Sequence, residues 1–473
     1  MMGRQSGDQD RLFYDVSLDQ LVPTDHLVRR IDGVLDLSWL HRELGPYYSH
    51  TGRPSVDPEL MMRMLIVGYV FAIRSERQLC SEVQVNLAYR WFCGLGLEDD
   101  IPDHSVFSRA RHERFREADA FRKVFESVVG SCLKEGLVGG QSFSVDASFI
   151  KADVNQMKRV PGDEPIDWPD GGQDGGQGSG QASRAVTEYL KALDEDAPEA
   201  GLNRGKGGRA TKPPKAISLT DPAATWTTKR EKVRPSFVYD ANYLIDNRLG
   251  VIVDCEGSRA NRIDENRVCV SMVERVKDRF GLSPQRLCAD TAYGSGKTLK
   301  ALMDRGIEPH VPVIDKSNRS DGTFPRADFE YDPERDVYTC PGGKVLRTTG
   351  NVHADDTLRY RAKTRDCRSC PLKQRCCPNT PARKVPRDIN EDARDYVRAL
   401  AKTPAFKRSR DDRKKVEMAF AHMKRIFKLD RFRLRGLSGV RDEVLLTATA
   451  QNLRKLARYV NRSPPNRGEL CLA

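Results

Sequence analysis

The stretch Ser142 to Ile150, SFSVDASFI, alternates as a β-strand does and carries an acid at its middle. Val145 and Ala147 face one way, and Ser144, Asp146 and Ser148 face the other. A carboxylate in mid-strand requires either a cationic partner or a bound metal, because burying an uncompensated charge is costly. The fold must therefore bring a compensating charge to this strand from elsewhere in the chain. Two further acids occupy well-marked positions. Arg286 to Asp290, RLCAD, reads as a short buried strand ending at Asp290 and running through a Gly-containing turn into a helix. In open α/β sheets the carboxyl ends of the strands are where ligands bind. Glu417 lies in a late stretch, KRSRDDRKKVEMAFAHMKRIFKLDRFRLRG, from Lys407 to Gly436.

The middle of that stretch, Arg413 to about Leu429, lacks Pro and Gly and predicts a helix. At about 100° per residue, Arg413, Glu417 and Lys424 project within about 40° of one another. Lys407 to Arg435 holds twelve Lys or Arg against four Asp or Glu. Glu417 is then either an ordinary i,i+4 ion-pair partner or a metal ligand beside a polyanion. Asp146, Asp290 and Glu417 stand 144 and 127 residues apart, so only a fold can assemble them. Carboxylates drawn from several elements are what two-metal phosphoryl chemistry needs, and magnesium or manganese suits an all-oxygen site.

Composition supports an anionic partner. The formal charge is +12 and the pI about 9.1, which favours nucleic acid over a membrane surface. The longest apolar run, Met64 to Ile73, is about half the ~20 residues a bilayer span needs. The first residues, MMGRQSGDQD, lack an apolar core, so no secretory signal and a reducing, cytoplasmic, nucleoid-associated location are expected. Twelve cysteines in that setting read as thiols or metal ligands rather than a disulfide framework.

In order, residues 1–130 predict a helical domain. Asp57-Pro58 opens one helix, with Leu60, Met64, Val67 and Phe71 at core spacing. A second runs from Ser75 to Leu95, and a third begins after Asp103 or Ser105 and carries Arg109 and Arg111. The order suits either a helix-turn-helix-like DNA reader or a plain three-helix core. Residues 136–320 form the first part of an α/β core, interrupted over 156–235 by a Gly-, Asp- and Lys-rich insertion around one helix near Arg184 to Leu193. Ser236 to Cys255 predicts a hairpin, Asp264 to Phe280 a helix, and Ile307 to Val313 a strand whose His310 reads as a core histidine. GSGKT at 294–298 is not a phosphate loop, since Thr291 stands where the first Gly belongs. Residues 321–390 make a cysteine-rich insert. There Cys340, Cys367, Cys370 and Cys376 are either structural zinc ligands or unligated thiols. Residues 391–460 return to the core and 461–473 form a tail.

These residues resemble the DDE transposases of bacterial insertion sequences. Arg413-x3-Glu417-x6-Lys424 has the spacing of the signature one large branch carries around its glutamate. VDASFIKAD at 145–153 and ADTAYGSG at 289–296 are similar to the blocks around its aspartates, and Arg435 to Leu456 to its closing block. CRSCPLKQRC at 367–376 is similar to a cysteine-rich insert of one subgroup. The signature's leading Tyr is Arg410 in this chain. No Trp follows Asp290, which leaves Tyr293 as the ring to stack a flipped base. The resemblance implies an RNase H-like α/β core of mixed sheet and flanking helices, behind an all-helical DNA-binding domain. It implies Mg2+ or Mn2+ on Asp146, Asp290 and Glu417. Double-stranded DNA, the element's terminal inverted repeats and its target, would be held by Arg413, Lys424, Arg410, Lys428, Arg431, Arg433, Arg109 and Arg111. Cleavage and strand transfer by self-associating copies follow from it. A nuclease on the same core, or a domesticated DNA-binding protein with structural acids, fits the same residues.

Overall fold

The computed structural model describes residues 17–49, 51, 55–166, 168, 182–194, 214–227, 235–314, 322–353 and 355–460. Much of the Gly-rich insertion and the tail 461–473 lie outside the described residues. The chain divides into two compact units. One comprises Met1–Val138, His422–Leu429 and Asp442–Ala473; the other comprises Gly139–Ala421 and Asp430–Arg441.

The first unit is helical. Helix α1 (Pro58–Val70) starts at Asp57, whose carboxylate accepts the amides of Glu59 and Leu60. Its Met61, Met64, Leu65, Val67 and Val70 are buried. The expected single helix over Ser75 to Leu95 is two, Glu76–Val85 and Leu87–Phe92. Asn86 takes an extended backbone between them and caps the second through the amides of Ala88 and Tyr89. Residues 93–103 then lead to His104–Ala110, a connection far longer than the roughly 3–4-residue turn of a helix-turn-helix. Asp103, not Ser105, caps that helix, accepting the Ser105 amide at 2.8 Å. Buried ion pairs join Arg74 to Glu443 and Arg116 to Asp442, the latter at 2.7 Å.

The second unit is built on a mixed sheet. Central β1 (Ser142–Lys151) pairs antiparallel with β2 (Ser236–Asp246), which carries β3 (Ile252–Arg259) on its other edge. On the opposite side β4 (Arg286–Cys288) and β5 (Glu308–His310) run parallel to β1. A short edge strand, Thr225–Thr227, extends the sheet past the start of β2. Phe143, Val145, Tyr239, Tyr243, Leu244 and Val253 are fully buried, so helices cover both faces. The turn after β2 is pinned to β1: Asn247 accepts from Ser144 Oγ at 2.8 Å and donates to Ser142 Oγ at 2.9 Å. Helix α2 (Arg262–Phe280) follows β3, and helix α3 (Lys414–Arg425) follows a shorter helix, Pro404–Asp412. The mixed sheet flanked by helices, beside a helical N-terminal region, is consistent with an RNase H-like core.

Residues 330–388 form a separate five-stranded antiparallel sheet, with strands ordered spatially as they run in sequence. Its core gathers Tyr338, Leu346, Tyr360 and Val385 around Cys367 and Cys377. No helix of the described residues is long and apolar enough to cross a membrane.

Candidate active site

The parallel pairing of β1 and β4 sets Ser144 opposite Cys288. Two residues further along each chain come Asp146, still within β1, and Asp290, just beyond the end of β4. Asp290 has extended backbone and its carboxylate accepts the Ala292 amide at 2.7 Å, capping the 3-10 turn Thr291–Tyr293. Asp146 accepts the amide of Ala147 at 2.8 Å. Burial pushes its carboxyl up to about 7, and the nearby Asp290 and Glu265 add to the rise; the Ala147 amide and the Arg413 guanidinium oppose it.

Helix α3 lies over this face. Phe420 stacks on Tyr243 with ring centroids 4.9 Å apart and planes 15° off parallel, and Tyr243 is the register partner of Asp146. Paired residues of an antiparallel ladder share a face, so Asp146 and Phe420 meet on one side of the sheet. Glu417 stands one turn before Phe420. It is half-exposed and accepts from Arg413 Nη2 at 3.3 Å. Arg413, which bonds Glu417, also acts electrostatically on Asp146, opposing the rise of its carboxyl.

The helix differs from its expected span. It begins after Arg413 and ends at Arg425, because Lys428 adopts a left-handed backbone, φ 53°, and the Leu429 amide turns back to the Met423 carbonyl at 3.0 Å. Lys424 and Lys428 belong to the segment 422–429 of the helical unit. Arg410 and Arg433 are exposed, while Arg431 is ion-paired to Asp153 at 2.9 Å. Arg109 is exposed. Arg111, expected at the DNA, is buried at 4% exposure and ion-paired with Glu76, so it serves the helical core instead. Tyr293 is fully buried, which removes it as a platform for a flipped base. The GSGKT stretch is a helix start, with Ser295 Oγ accepting the Thr298 amide at 3.2 Å. His310 is a core histidine, bonded to Glu308 at 2.6 Å and stacked on Phe406.

Sequence reasoning passed over Glu265, on the first turn of α2. Acids are common in first turns because the helix dipole favours them.

Cys340, Cys367, Cys370, Cys376 and Cys377 line one small cavity in the second sheet, with Lys344, Lys373 and Arg383. The Lys344 amide donates to Cys340 Sγ at 3.3 Å, and burial pushes the Cys376 thiol up to about 11. Among the described residues, no three His, Cys, Asp or Glu side chains form a closed metal-holding group, either at these thiols or at the three acids. The donor set of Asp146, Asp290 and Glu417 is all carboxylate oxygen, which suits a hard divalent cation, and Asp146 is a half-buried acid whose carboxyl is pushed up by desolvation.

Asp146 and Asp290 are thus presented on neighbouring strands of the mixed sheet, on the face that α3, the helix of Glu417, packs against. Residues 339–457 match the family described as Transposase DDE domain, and residues 16–113 match Transposase domain (DUF772). The DDE match supports a DDE-type enzyme, and the two matches together support assignment to the transposase class. The DDE match takes in most of the cysteine sheet and Glu417 but neither Asp146 nor Asp290. No curated protein and no solved structure matches the chain.

Proposed function

We propose that the chain is the transposase of a bacterial insertion sequence, which binds the element's terminal repeats and catalyses DNA cleavage and strand transfer. The observation that carries this reading is the meeting of Asp146 and Asp290 at the β1–β4 edge under the helix of Arg413 and Glu417. Asp146, Asp290 and Glu417 would hold Mg2+ or Mn2+, whose chemistry is to activate the attacking oxygen and stabilise the leaving one in an in-line displacement. Asp146 and Asp290 are fixed by backbone amides, so their free lone pairs keep a constant direction. The Arg413 guanidinium bonds Glu417 through one nitrogen and has further N–H groups for a phosphate oxygen. Arg410 and Arg433 would track the DNA backbone, with Arg109 doing the same on the helical unit.

The test is a cleavage and joining assay on the element's ends with Mg2+, comparing the parent with Glu417→Gln. Loss of both reactions with DNA binding kept is the expected result. Nicking without joining by the parent would make the protein a nuclease. Equal behaviour of parent and variant would leave the acids structural and the chain a DNA-binding protein. Self-association on paired DNA ends belongs to the same proposal and is read by light scattering with and without end DNA. Structural zinc on Cys340, Cys367, Cys370 and Cys376 is supported by their shared cavity and by the amide-to-sulfur bond at Cys340. Metal analysis of the purified chain should find one zinc, lost in Cys370→Ser; a zinc-free, folded parent would refute it.

A further inference from the structure

The five-stranded sheet of the cysteine insert has two faces of opposite character. Its strands are β6 (Glu330–Asp332), β7 (Val337–Thr339), β8 (Val345–Arg347), β9 (Thr357–Arg361) and β10 (Lys384–Asp388). Arg361 stands directly opposite Arg347 on one side and Lys384 on the other. Residues opposite one another in an antiparallel ladder share a face, so the three cations form one row across β8, β9 and β10. All three are exposed. Leu346, Tyr360 and Val385, next to them in sequence, are buried in the core of the other face. Arg359, two residues before Arg361, lies on the outer face too. So does Lys363, two residues after it, because the ladder continues through the Ala362 amide to the Arg383 carbonyl at 3.1 Å.

Like charges set directly opposite one another destabilise a sheet, so such a row needs a partner of the other sign. Asp355 reaches Arg359 at 3.8 Å, but among the described residues no acid pairs with Arg347, Arg361, Lys363 or Lys384. Glu330 and Asp332 belong to the far edge strand; Asp332 is opposite Val337, which is itself opposite Arg347. Asp388 ends β10, about 13 Å along the strand from Lys384. There the sheet rests on the helix Gly296–Met303, since a Cβ on Gly296 would stand 2.5 Å from Asp388 Oδ1. The row and the acids Asp146 and Asp290 belong to one compact unit.

At about 4.8 Å between strands and about 3.3 Å per residue, the cations cover about 10 by about 13 Å. One strand of duplex DNA presents a phosphate every 3.4 Å or so of axis, which sets about three to four phosphates against that area. The aromatic residues of these strands, Tyr331, Tyr338 and Tyr360, pack together on the core side. The outer face of the strands thus offers cations for phosphate and no ring on which an unpaired base could stack.

We propose that the outer face of this sheet, centred on Arg361, docks the phosphate backbone of double-stranded DNA. The proposal rests on the reading of the chain as a DNA-binding transposase and gives the cysteine insert a contact of its own, independent of base sequence.

The test measures binding of the full chain to a duplex of the element's end, to an unrelated duplex and to a single strand, between about 50 and about 200 mM salt. The parent is compared with a triple variant, Arg347→Gln with Arg361→Gln and Lys384→Gln. A control triple, Lys277→Gln with Lys300→Gln and Arg305→Gln, removes the same charge elsewhere in the same unit. The slope of log affinity against log salt is expected to become shallower by about two to three in the first triple, equally on both duplexes. The control should keep a slope closer to the parent's. A parent-like slope in the first triple, with duplex binding by the parent intact, overturns the docking surface alone. An equal change in the control overturns it as well, because net charge would then explain the effect. A change confined to the single strand overturns the assignment to duplex. Absence of DNA binding by the parent overturns the transposase reading and this surface with it. Should the first triple fail to fold, Arg361→Gln alone decides: a slope shallower by about one is expected, and a parent-like slope overturns the proposal.

Discussion

The contrast between Arg109 and Arg111 shows how little a residue's type says about its task. Both are arginines on one short helical stretch, and both read from sequence as phosphate contacts. Arg109 is exposed, while Arg111 turns inward to Glu76. Arg111→Gln leaves Glu76 without its partner and is expected to cost about 3 kcal/mol of stability, read by urea unfolding. It should leave the salt dependence of DNA binding unchanged. Arg109→Gln should do the reverse: stability within error of the parent, and a slope of log affinity against log salt shallower by about one. Equal slopes for Arg109→Gln and parent would remove Arg109 from the interface. At the acids, Arg413→Gln deletes one of the two groups, with the Ala147 amide, that oppose the rise of the Asp146 carboxyl. The acidic limb of the cleavage rate against pH is expected to move to higher pH in that variant, and an unmoved limb would separate Arg413 from Asp146.

Among the elements, the loop after β4 depends on close backbone approach. A Cβ on Gly294 would stand 2.0 Å from the Pro312 carbonyl oxygen, and the Ile314 amide bonds the Gly294 carbonyl at 2.9 Å. Gly294→Ala must therefore displace backbone just after the turn that Asp290 caps. The expected result is a loss of at least about 3 kcal/mol in thermal or urea unfolding, with cleavage impaired at temperatures where the chain stays folded. An undamaged variant would show that the loop yields freely. Where an element is set by local periodicity, the sequence is a good guide: β1, the β2–β3 hairpin and α2 lie within a few residues of their expected spans. The long helix over Ser75 to Leu95 is broken because Asn86 can cap as well as continue, and periodicity is silent on that choice. The end of α3 was equally hidden, since left-handed Lys428 carries no Gly or Asn to announce it. Asp146, Asp290 and Glu417 stand out in the sequence because each sits at a position with no local use for an acid or in a spaced signature.

At the scale of the whole molecule, half-buried Asp146 and buried Asp221 tie folding stability to pH in ways that a divalent cation can separate. Burial pushes Asp146 up to about 7 and Asp221 up to about 6, from an ordinary 3.8. Asp221 accepts from the Tyr239 hydroxyl at 2.5 Å and from the Gly436 amide at 3.3 Å, partners that Asp146 does not share. Both acids keep protons in the folded state that the unfolded chain has released, so the folded state binds more protons above pH 3.8. Stability without metal is then greatest below that value and falls as pH rises, until about pH 6 for Asp221 and about pH 7 for Asp146. The losses are at most about 3 and about 4 kcal/mol, smaller where water reaches the carboxyl. A divalent cation binds only the ionised site, so Mg2+ should stabilise the chain little at pH 5 and most above pH 7. It should offset the part of the decline due to Asp146 and leave the part due to Asp221. Urea unfolding from pH 4 to 8, with Mg2+ and with chelator, measures both. Asp146→Asn should flatten the upper part of the metal-free curve and abolish the Mg2+ effect, and Asp221→Asn should flatten only the lower part. A Mg2+ effect independent of pH, or one that survives in Asp146→Asn, would mean that the ion binds elsewhere on the chain.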